Sequence, residues 1–319
     1  MGRNRGIEIR TDILELLVVT PLDLTDLAAS KILPEISVAT TSGDINILPA
    51  GVGYKLGDNS RAEDGGYDRT TYDLAEDSYK TKLYGAEETV DNISAIELDM
   101  LYSQEEVAAQ IVRNRILLGR EKRVADTVFN TTTFTGAGYT STVVTKWNLP
   151  AADFRKDIWD AHIPIRARLK VGLDQLSLIV TSDRVRDMLS TLSAVDSIKY
   201  NVSMLLQDKG TQLQALSTYI GVKEIVMVNP MADKAGLGLT ANYDYLYPND
   251  MAMLALLSPA VESWKMGGLG RQPVFTKLTN DIMYESYDVE EKDKRVLRAK
   301  EYRGEFLTKG NGFLIKGIA

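Results

Sequence analysis

The sequence predicts an α+β protein organised around one long helix, and three stretches carry that expectation. Residues 103–130 (SQEEVAAQIVRNRILLGREKRVADTVFN) place apolar side chains at helical spacing. Residues 150–258 alternate strand-like and helix-like segments, the pattern of a compact α/β unit. Residues 282–318 read as long strands separated by charged turns.

The long helix is expected to begin at Ser103, which can cap the first turn and form a capping box with Glu106. Val107, Ile111, Leu118, Ala125 and Phe129 form its main apolar stripe, widened by Leu117, Val124 and Val128, while Val112 and Ile116 fall on the opposite side. A helix apolar on two sides packs on its own sheet with one of them. The other is then left for more core or for a neighbouring subunit. Asn114 and Glu121 interrupt the main stripe seven residues apart, either as satisfied polar groups of a core helix or as contacts to a second subunit. Arg113, Arg115, Arg120, Lys122 and Arg123 make the second half of the helix basic. That charge matches the helix dipole and would also serve a surface facing polyanion or an acidic neighbour.

Before the helix, residues 1–40 read as an arm. Thr11–Val19 is a short helix or strand, and Leu22–Leu33 an amphipathic helix bracketed by Pro21 and Pro34, with Asp23 and Asp26 early and Lys31 late. Residues 41–83 read as an extended loop or hairpin with strand-like pieces at Ile45–Leu48 and Val52–Leu56. From Asp58 to Tyr79 this loop carries seven acids and two arginines, either a solvated surface or a projection that docks on basic groups of another copy. Tyr79–Val90 then reads as strand, with Tyr79, Thr81 and Leu83 on one face.

After the helix, TTTFTGAGYTST is a turn-rich linker. Asp153–Leu169 is helical, with Phe154, Ile158, Ala161 and Ile165 on one side, and Pro164 is expected to end or kink it. Gln175–Val180 is a buried strand, and Ser182 or Asp183 caps a helix over Arg184–Leu192. A helix at Gln212–Tyr219 precedes strands at Lys223–Val228, Tyr243–Tyr247 and Met251–Leu257. Ile282–Val289, Val296–Leu307 and Phe313–Ile318 complete the chain, and Gly310-Asn311-Gly312 is expected to close a hairpin between the last two.

Composition excludes more than it selects. The chain has 319 residues, is 44% hydrophobic and 25% charged, and bears a net charge of -7, which argues against tight DNA binding as its main task. No apolar run reaches membrane length, and the N-terminus MGRNRGIEIR lacks an apolar signal core, so neither a membrane partner nor a secretion signal is expected. With no cysteine and a single histidine, His162, a zinc site cannot be assembled. No phosphate-binding GxxxxGK[ST] loop, dinucleotide fingerprint or GxSxG elbow occurs. The pairs Glu87–Glu88 and Glu290–Glu291 read as surface charge. The expectation is therefore a chain with no catalytic residues, no metal and no cofactor.

The order of these elements resembles a known family. The run YKTKLYGAEETVDN, leading into a long helix that ends LLGREKRVADTVFN, is similar to the major capsid proteins of tailed bacteriophages, the Hong Kong 97-type fold. So is WNLPAADFRKDIWDAHIPIRARLKVGLDQLSLIVTSDRVRDML, which looks like the passage into that family's apical domain. The resemblance implies an N-terminal arm (1–49), an extended loop (50–83), a peripheral domain with a long spine helix (84–149 and 259–319) and an axial α/β domain (150–258). It implies a structural protein of the virion, assembled in the host cytoplasm into pentamers and hexamers of an icosahedral shell. Its implied partners are further copies of itself, a scaffolding protein, a portal, a decoration protein, and packaged double-stranded DNA held by weak non-specific contact. Under this reading the inter-subunit contacts are sought at Glu63, Asp64 and Asp68 of the acidic loop and at Asn114, Arg115, Glu121 and Lys122 of the spine helix. A non-viral nanocompartment shell enclosing enzymes is the alternative within the same fold, and a soluble enzyme of unknown type the alternative outside it.

Overall fold

The computed structural model describes residues 8–9, 27–48, 54, 60, 73–91, 101–191, 209–235, 239–240, 242–259, 264–265, 267–276, 281–289 and 294–319. The expected elements at Thr11–Val19 and Val52–Leu56 and the start of Leu22–Leu33 lie largely outside these residues, as do Glu63, Asp64 and Asp68.

In chain order, β1 (Glu8–Ile9) is followed by the short helix α1 (Ala29–Ile32). Pro34 ends α1 by forcing Leu33 into an extended conformation, φ -121 and ψ 92. β2 (Glu35–Val38) follows, then the hairpin strands β3 (Ser42–Ile47) and β4 (Ala75–Lys80), then β5 (Lys82–Asp91). The long helix α2 spans Leu101–Val128, so at about 1.5 Å per residue it is about 42 Å long. β6 (Thr140–Thr142), α3 (Phe154–Leu169), β7 (Ser177–Thr181), α4 (Ser182–Ser190), α5 (Lys209–Ile220) and β8 (Glu224–Val228) come next. A small hairpin, β9 (Met231–Asp233) with β10 (Tyr243–Tyr245), leads to β11 (Met251–Ala255). The chain closes with β12 (Gly270–Phe275), β13 (Met283–Val289), β14 (Lys294–Arg303), β15 (Phe306–Leu307) and β16 (Gly312–Lys316).

Two sheets organise these strands. One has the order β6-β16-β11-β7-β8, with β7 and β8 parallel and β11 antiparallel to β7. Its two outlying members, β6 and β16, come from either side of the 150–258 span. The other sheet is centred on β14, which pairs along its length with β13 on one side and β5 on the other. β12 touches its end, β2 runs parallel to β12, and β1 extends β13.

Helix α2 connects the two sheets. Its first half packs Ala108, Ala109, Val112, Ile116 and Leu117 on Val90, Tyr284, Leu297 and Ala299. Its second half packs Val124, Ala125, Val128 and Phe129, with α1, on one face of the five-stranded sheet. The opposite face of that sheet is covered by α3, α4 and α5 through Phe154, Ile158, Ile165, Val185, Met188, Leu216 and Ile220.

Five local expectations are corrected. Helix α2 already includes Ser103, so the Ser103–Glu106 capping box does not start it. Its buried face is the 108/109/112/116 side, whereas Val107 and Ile111 are 53% and 42% exposed. Pro164 does not end α3, the first of its two expected effects; the carbonyl it leaves without an intrahelical donor belongs to Asp160, an exposed residue open to water. Helix α4 begins at Ser182 after Thr181, and no side chain caps it. Finally, Gly310-Asn311-Gly312 does not close a hairpin, since β15 stays on β12 while β16 crosses to lie between β6 and β11. The crossing is pinned by α3. The Arg168 guanidinium donates to the carbonyls of Gly310 (3.1 Å) and Gly312 (3.2 Å) and to that of Gly138, and Asn311 Nδ2 donates to Gly268 O at 2.6 Å.

The two sides of α2 therefore differ in energetic weight. Ile116→Ala should lower stability by about 2–5 kcal/mol, and Val107→Ala by about 0.5 kcal/mol or less, both read by urea unfolding of unassembled chains. Leu118→Pro should cost about 3 kcal/mol or more through the broken helix and yield insoluble protein.

Candidate functional site

The described residues present two features that a self-contained core does not account for, a projecting hairpin and a charged joint beneath it. Strands β3 and β4 pair only with each other, in register from Ser42↔Lys80 to Ile47↔Ala75. No residue of β3 or β4 is buried, and Leu48 and Leu74 at the outer end are largely exposed. A two-stranded hairpin of this kind is marginal in water without a third element. Its root, in contrast, is fixed. Thr81 N and Oγ1 both donate to Thr41 O (2.7 and 3.0 Å), and the Tyr79 hydroxyl lies 2.9 Å from Thr40 Oγ1. The Tyr79 ring stacks on Trp264 (5.7 Å, 27°), which meets Phe306 edge-on at 5.5 Å. Gly304 lies directly beneath, where any Cβ would collide with the Lys80 carbonyl.

One residue before Gly304 the charged joint begins. Arg303 is fully buried and Glu301 is 1% exposed, both on the face of β14 turned to α2. Arg120 of α2 reaches Glu301 at 2.7 Å, and Arg123 reaches its other oxygen at 2.6 Å and Glu305 at 2.8 Å. Arg303 Nη1 holds Glu35 of β2 at 2.6 Å and Gln272 Oε1 at 3.1 Å. Its Nε lies 3.3 Å from Glu301 but makes no hydrogen bond, so that contact is purely Coulombic. Asp281 completes the group, 3.1 Å from Arg120. Gln272 passes the linkage on, donating to the carbonyls of Ala29 (3.1 Å) and Leu33 (2.9 Å). Burial would raise the Glu301 pKa, but Arg120 and Arg303 outweigh it and hold this carboxyl below its usual range. The Arg123 guanidinium also covers the Tyr84 ring at 3.6 Å.

Glu121 sits on the next part of α2, and both of its oxygens are used within the chain. Oε1 accepts from Ala29 N (2.8 Å) and Oε2 from the Tyr247 hydroxyl (2.6 Å). Burial dominates here and raises the Glu121 pKa, against the lowering effect of Tyr247 and Ala29. Of the other residues singled out in the sequence, Arg115 is exposed and 3.3 Å from Glu88, and Lys122 is exposed and 2.9 Å from Asp126. Asn114 falls on the same strip of helix as Val107, Ile111 and Leu118, and its Oδ1 is buried with no hydrogen-bond donor among the described residues. His162 Nε2 lies 3.1 Å from Val171 O, a structural contact between α3 and the segment that follows it. Among the described residues no cluster of three or more metal-ligating side chains occurs.

The sequence reading missed Glu301 and Arg303. Strand parity would have found them, because both share a face with Leu297 and Ala299, which pack on α2.

No family model matches the chain, and no curated protein is similar to it in sequence. Solved structures do match over nearly its whole length. A phage-related protein from Bordetella bronchiseptica RB50 is 15% identical with a TM-score of 0.70, covering 98% of this chain and 99% of that one. The capsid chain of Cyanophage P-SCSP1u is 9% identical with a TM-score of 0.56, covering 99% and 96%. That of a native gene transfer agent particle is 11% identical with a TM-score of 0.55, covering 94% and 93%.

The two buried glutamates should respond oppositely to acid. The depressed pKa of Glu301 contributes stability above the ordinary carboxylate pKa that is lost as pH falls through its folded value. The raised pKa of Glu121 is a cost at neutral pH that is relieved as pH falls towards 4.5. Glu301→Gln should cost about 3–5 kcal/mol at pH 7, because it leaves buried guanidinium groups undercompensated, and it should flatten the acid limb of a stability–pH curve. Glu121→Gln, whose amide can still accept from Ala29, should cost far less and remove the gain on mild acidification. Placed beside the solved structures, the projecting hairpin, long helix and two sheets are those of the Hong Kong 97-type capsid fold.

Proposed function

We propose that this chain is the major capsid protein of a tailed double-stranded DNA phage, a structural protein and not an enzyme, that assembles into pentamers and hexamers of an icosahedral shell. The observation that carries the reading is the β3–β4 hairpin, a two-stranded projection with no fully buried residue, in a fold otherwise matched over nearly its whole length by capsid chains. Such an element draws its folding energy from a neighbour. Many modest contacts per copy then sum to a stable closed shell.

Under this reading residues 1–49 are the arm, 50–83 the extended loop, 84–149 and 259–319 the peripheral domain, and 150–258 the axial domain. The acidic loop, with Glu63, Asp64 and Asp68, rests on the next copy. The strip Val107–Ile111–Asn114–Leu118, exposed at Val107 and Ile111 and half-buried at Asn114 and Leu118, is the second face of the spine helix, where a neighbour supplies the donor that Asn114 lacks among the described residues. Arg115 and Lys122 flank it. Glu121, committed to Ala29 and Tyr247, supports that face from inside. A scaffolding protein and a portal guide assembly in the host cytoplasm, a decoration protein binds the finished virion, and the packaged DNA is held only weakly by a shell of net charge -7.

Purified protein, expressed alone and with its genomic neighbours, should form closed particles by electron microscopy. Small oligomers under every condition would overturn the proposal, and particles filled with cargo protein instead of nucleic acid would move it to a nanocompartment. Joint replacement of Glu63, Asp64 and Asp68 by Lys should reduce particle yield while leaving the axial unit folded by circular dichroism. Single replacements should do little, since an exposed pair is worth about 0–1 kcal/mol. Arg115→Gln with Lys122→Gln should leave the fold intact and make assembly less dependent on salt.

A further inference from the structure

Glu121 is 1% exposed, and its carboxylate is met by neutral groups, the Ala28 and Ala29 amides and the Tyr247 hydroxyl. The charged side chains around it are turned elsewhere. Arg120, its neighbour on α2, is committed to Glu301, Asp281 and Glu35, and Lys122 to Asp126. On α1, Lys31 pairs with Glu224 of β8, and on β2, Glu35 pairs with Arg303. β12 presents the neutral Gln272, which holds the Ala29 and Leu33 carbonyls. Glu121 also supplies what α1 lacks in itself. Ala28 at the N-cap offers no side-chain acceptor, and the Ala29 amide is satisfied from α2 instead. Ala28, Ala29, Ile32 and Leu33 are buried with Val124, Ala125 and Val128. This part of the arm is therefore fastened to the long helix through a buried carboxylate that has no countercharge among the described residues.

We propose that Glu121 is an acid-set latch for the arm: with a proton on its carboxyl, α1 is held tightly on α2, and without one the hold weakens. Two states of α1 are in balance. In the closed state a charged Glu121 is kept from water with no cation to compensate it, which is costly. Opening of α1 admits water to the carboxylate, so the charged form favours the open state. Protonation removes that bias. Oε1 still accepts from Ala29 N, and the Tyr247 hydroxyl pairs with the protonated Oε2. One hydroxyl hydrogen is left over, a smaller penalty than a buried unpaired charge. Burial raises the Glu121 pKa in the closed state, against the lowering effect of Tyr247 and the two amides. The tighter hold is therefore fully present below the ordinary value of 4.5 and is lost as pH rises through the closed-state value. Glu301, whose pKa is lowered, stays charged over that range, so the adjoining ion cluster is intact while the latch titrates. The latch belongs to a single chain and stands whether or not copies assemble.

Hydrogen exchange read by mass spectrometry on the unassembled chain tests the latch locally. Protection of a peptide spanning residues 27–34, corrected for the intrinsic exchange rate, should rise severalfold from about pH 7.5 to about pH 5. A peptide from β11 (Met251–Ala255) is the reference and should not follow it. Glu121→Gln should abolish the rise and leave protection at neutral pH at or above that of the unsubstituted chain. Tyr247→Phe removes a donor that lowers the Glu121 pKa, so it should move the rise to higher pH; this variant keeps the test decisive if the Gln variant does not fold. Flat protection in the unsubstituted chain would overturn the latch, as would a rise that survives Glu121→Gln or stays in place in Tyr247→Phe. A rise shared equally by the β11 peptide would mark a change in whole-chain stability and would overturn it too.

Discussion

The carboxylate of Glu301 is the point on which the rest of the structure depends. It is almost fully buried, yet it lies within ion-pairing distance of Arg120, Arg123 and Arg303, and those three arginines in turn hold Glu35, Glu305 and Asp281. Taking so many charges out of water is expensive, and a hydrophobic substitute of the same shape would often be as stable. What the charged joint supplies is uniqueness of arrangement. Each guanidinium bonds in fixed directions, so helix α2, strand β14 and strand β2 of the arm can meet in only one register. An apolar joint would tolerate sliding of a 28-residue helix along its sheet. Gln272 and Glu121 extend the same logic to α1, fixing both ends of that short helix through Ala29 and Leu33.

The joint and the hairpin form one mechanical unit. Arg303 is followed by Gly304, Gly304 supports the Lys80 carbonyl, and Lys80 is the last residue of β4. The hairpin's angle is therefore set one residue away from the ion cluster, through a contact that admits no side chain. Beyond that root no residue of the hairpin is fully buried. A firm base with an unsupported end is the arrangement expected of an element completed by association, since its ordering entropy must be recovered from contacts that only a neighbour can make.

Much of this was legible in the sequence, and the misses have physical causes. The long helix was visible because its period persists over seven turns, but its buried face was misjudged. Val107 and Ile111 are the larger side chains, yet the sheet approaches Ala108 and Ala109, where small residues let backbone come close and leave little hydropathy to read. Glu301 and Arg303 were hidden because a charged residue in a strand is ordinarily assigned to water; only their parity with Leu297 and Ala299 reveals them. The Asn-Gly turn near residue 311 carried a true local signal that lost to a distant one. Arg168, over 140 residues earlier, claims the turn's carbonyls and sends β16 into the other sheet. Arg115 and Lys122 are exposed on the helix, whereas the interior role of Glu121 depends on Tyr247, which no local pattern connects to it.

The charge balance of the chain follows from the same division between interior and periphery. Arg120 and Arg123 of α2's second half are neutralised inside the molecule by Glu301, Glu305 and Asp281, so they contribute little to the outward field. The excess of acid is concentrated in the sequence between Asp58 and Asp77, which carries seven acids against two arginines. With those helix arginines neutralised internally, the acids of that sequence stretch weigh heavily in the chain's net charge of -7.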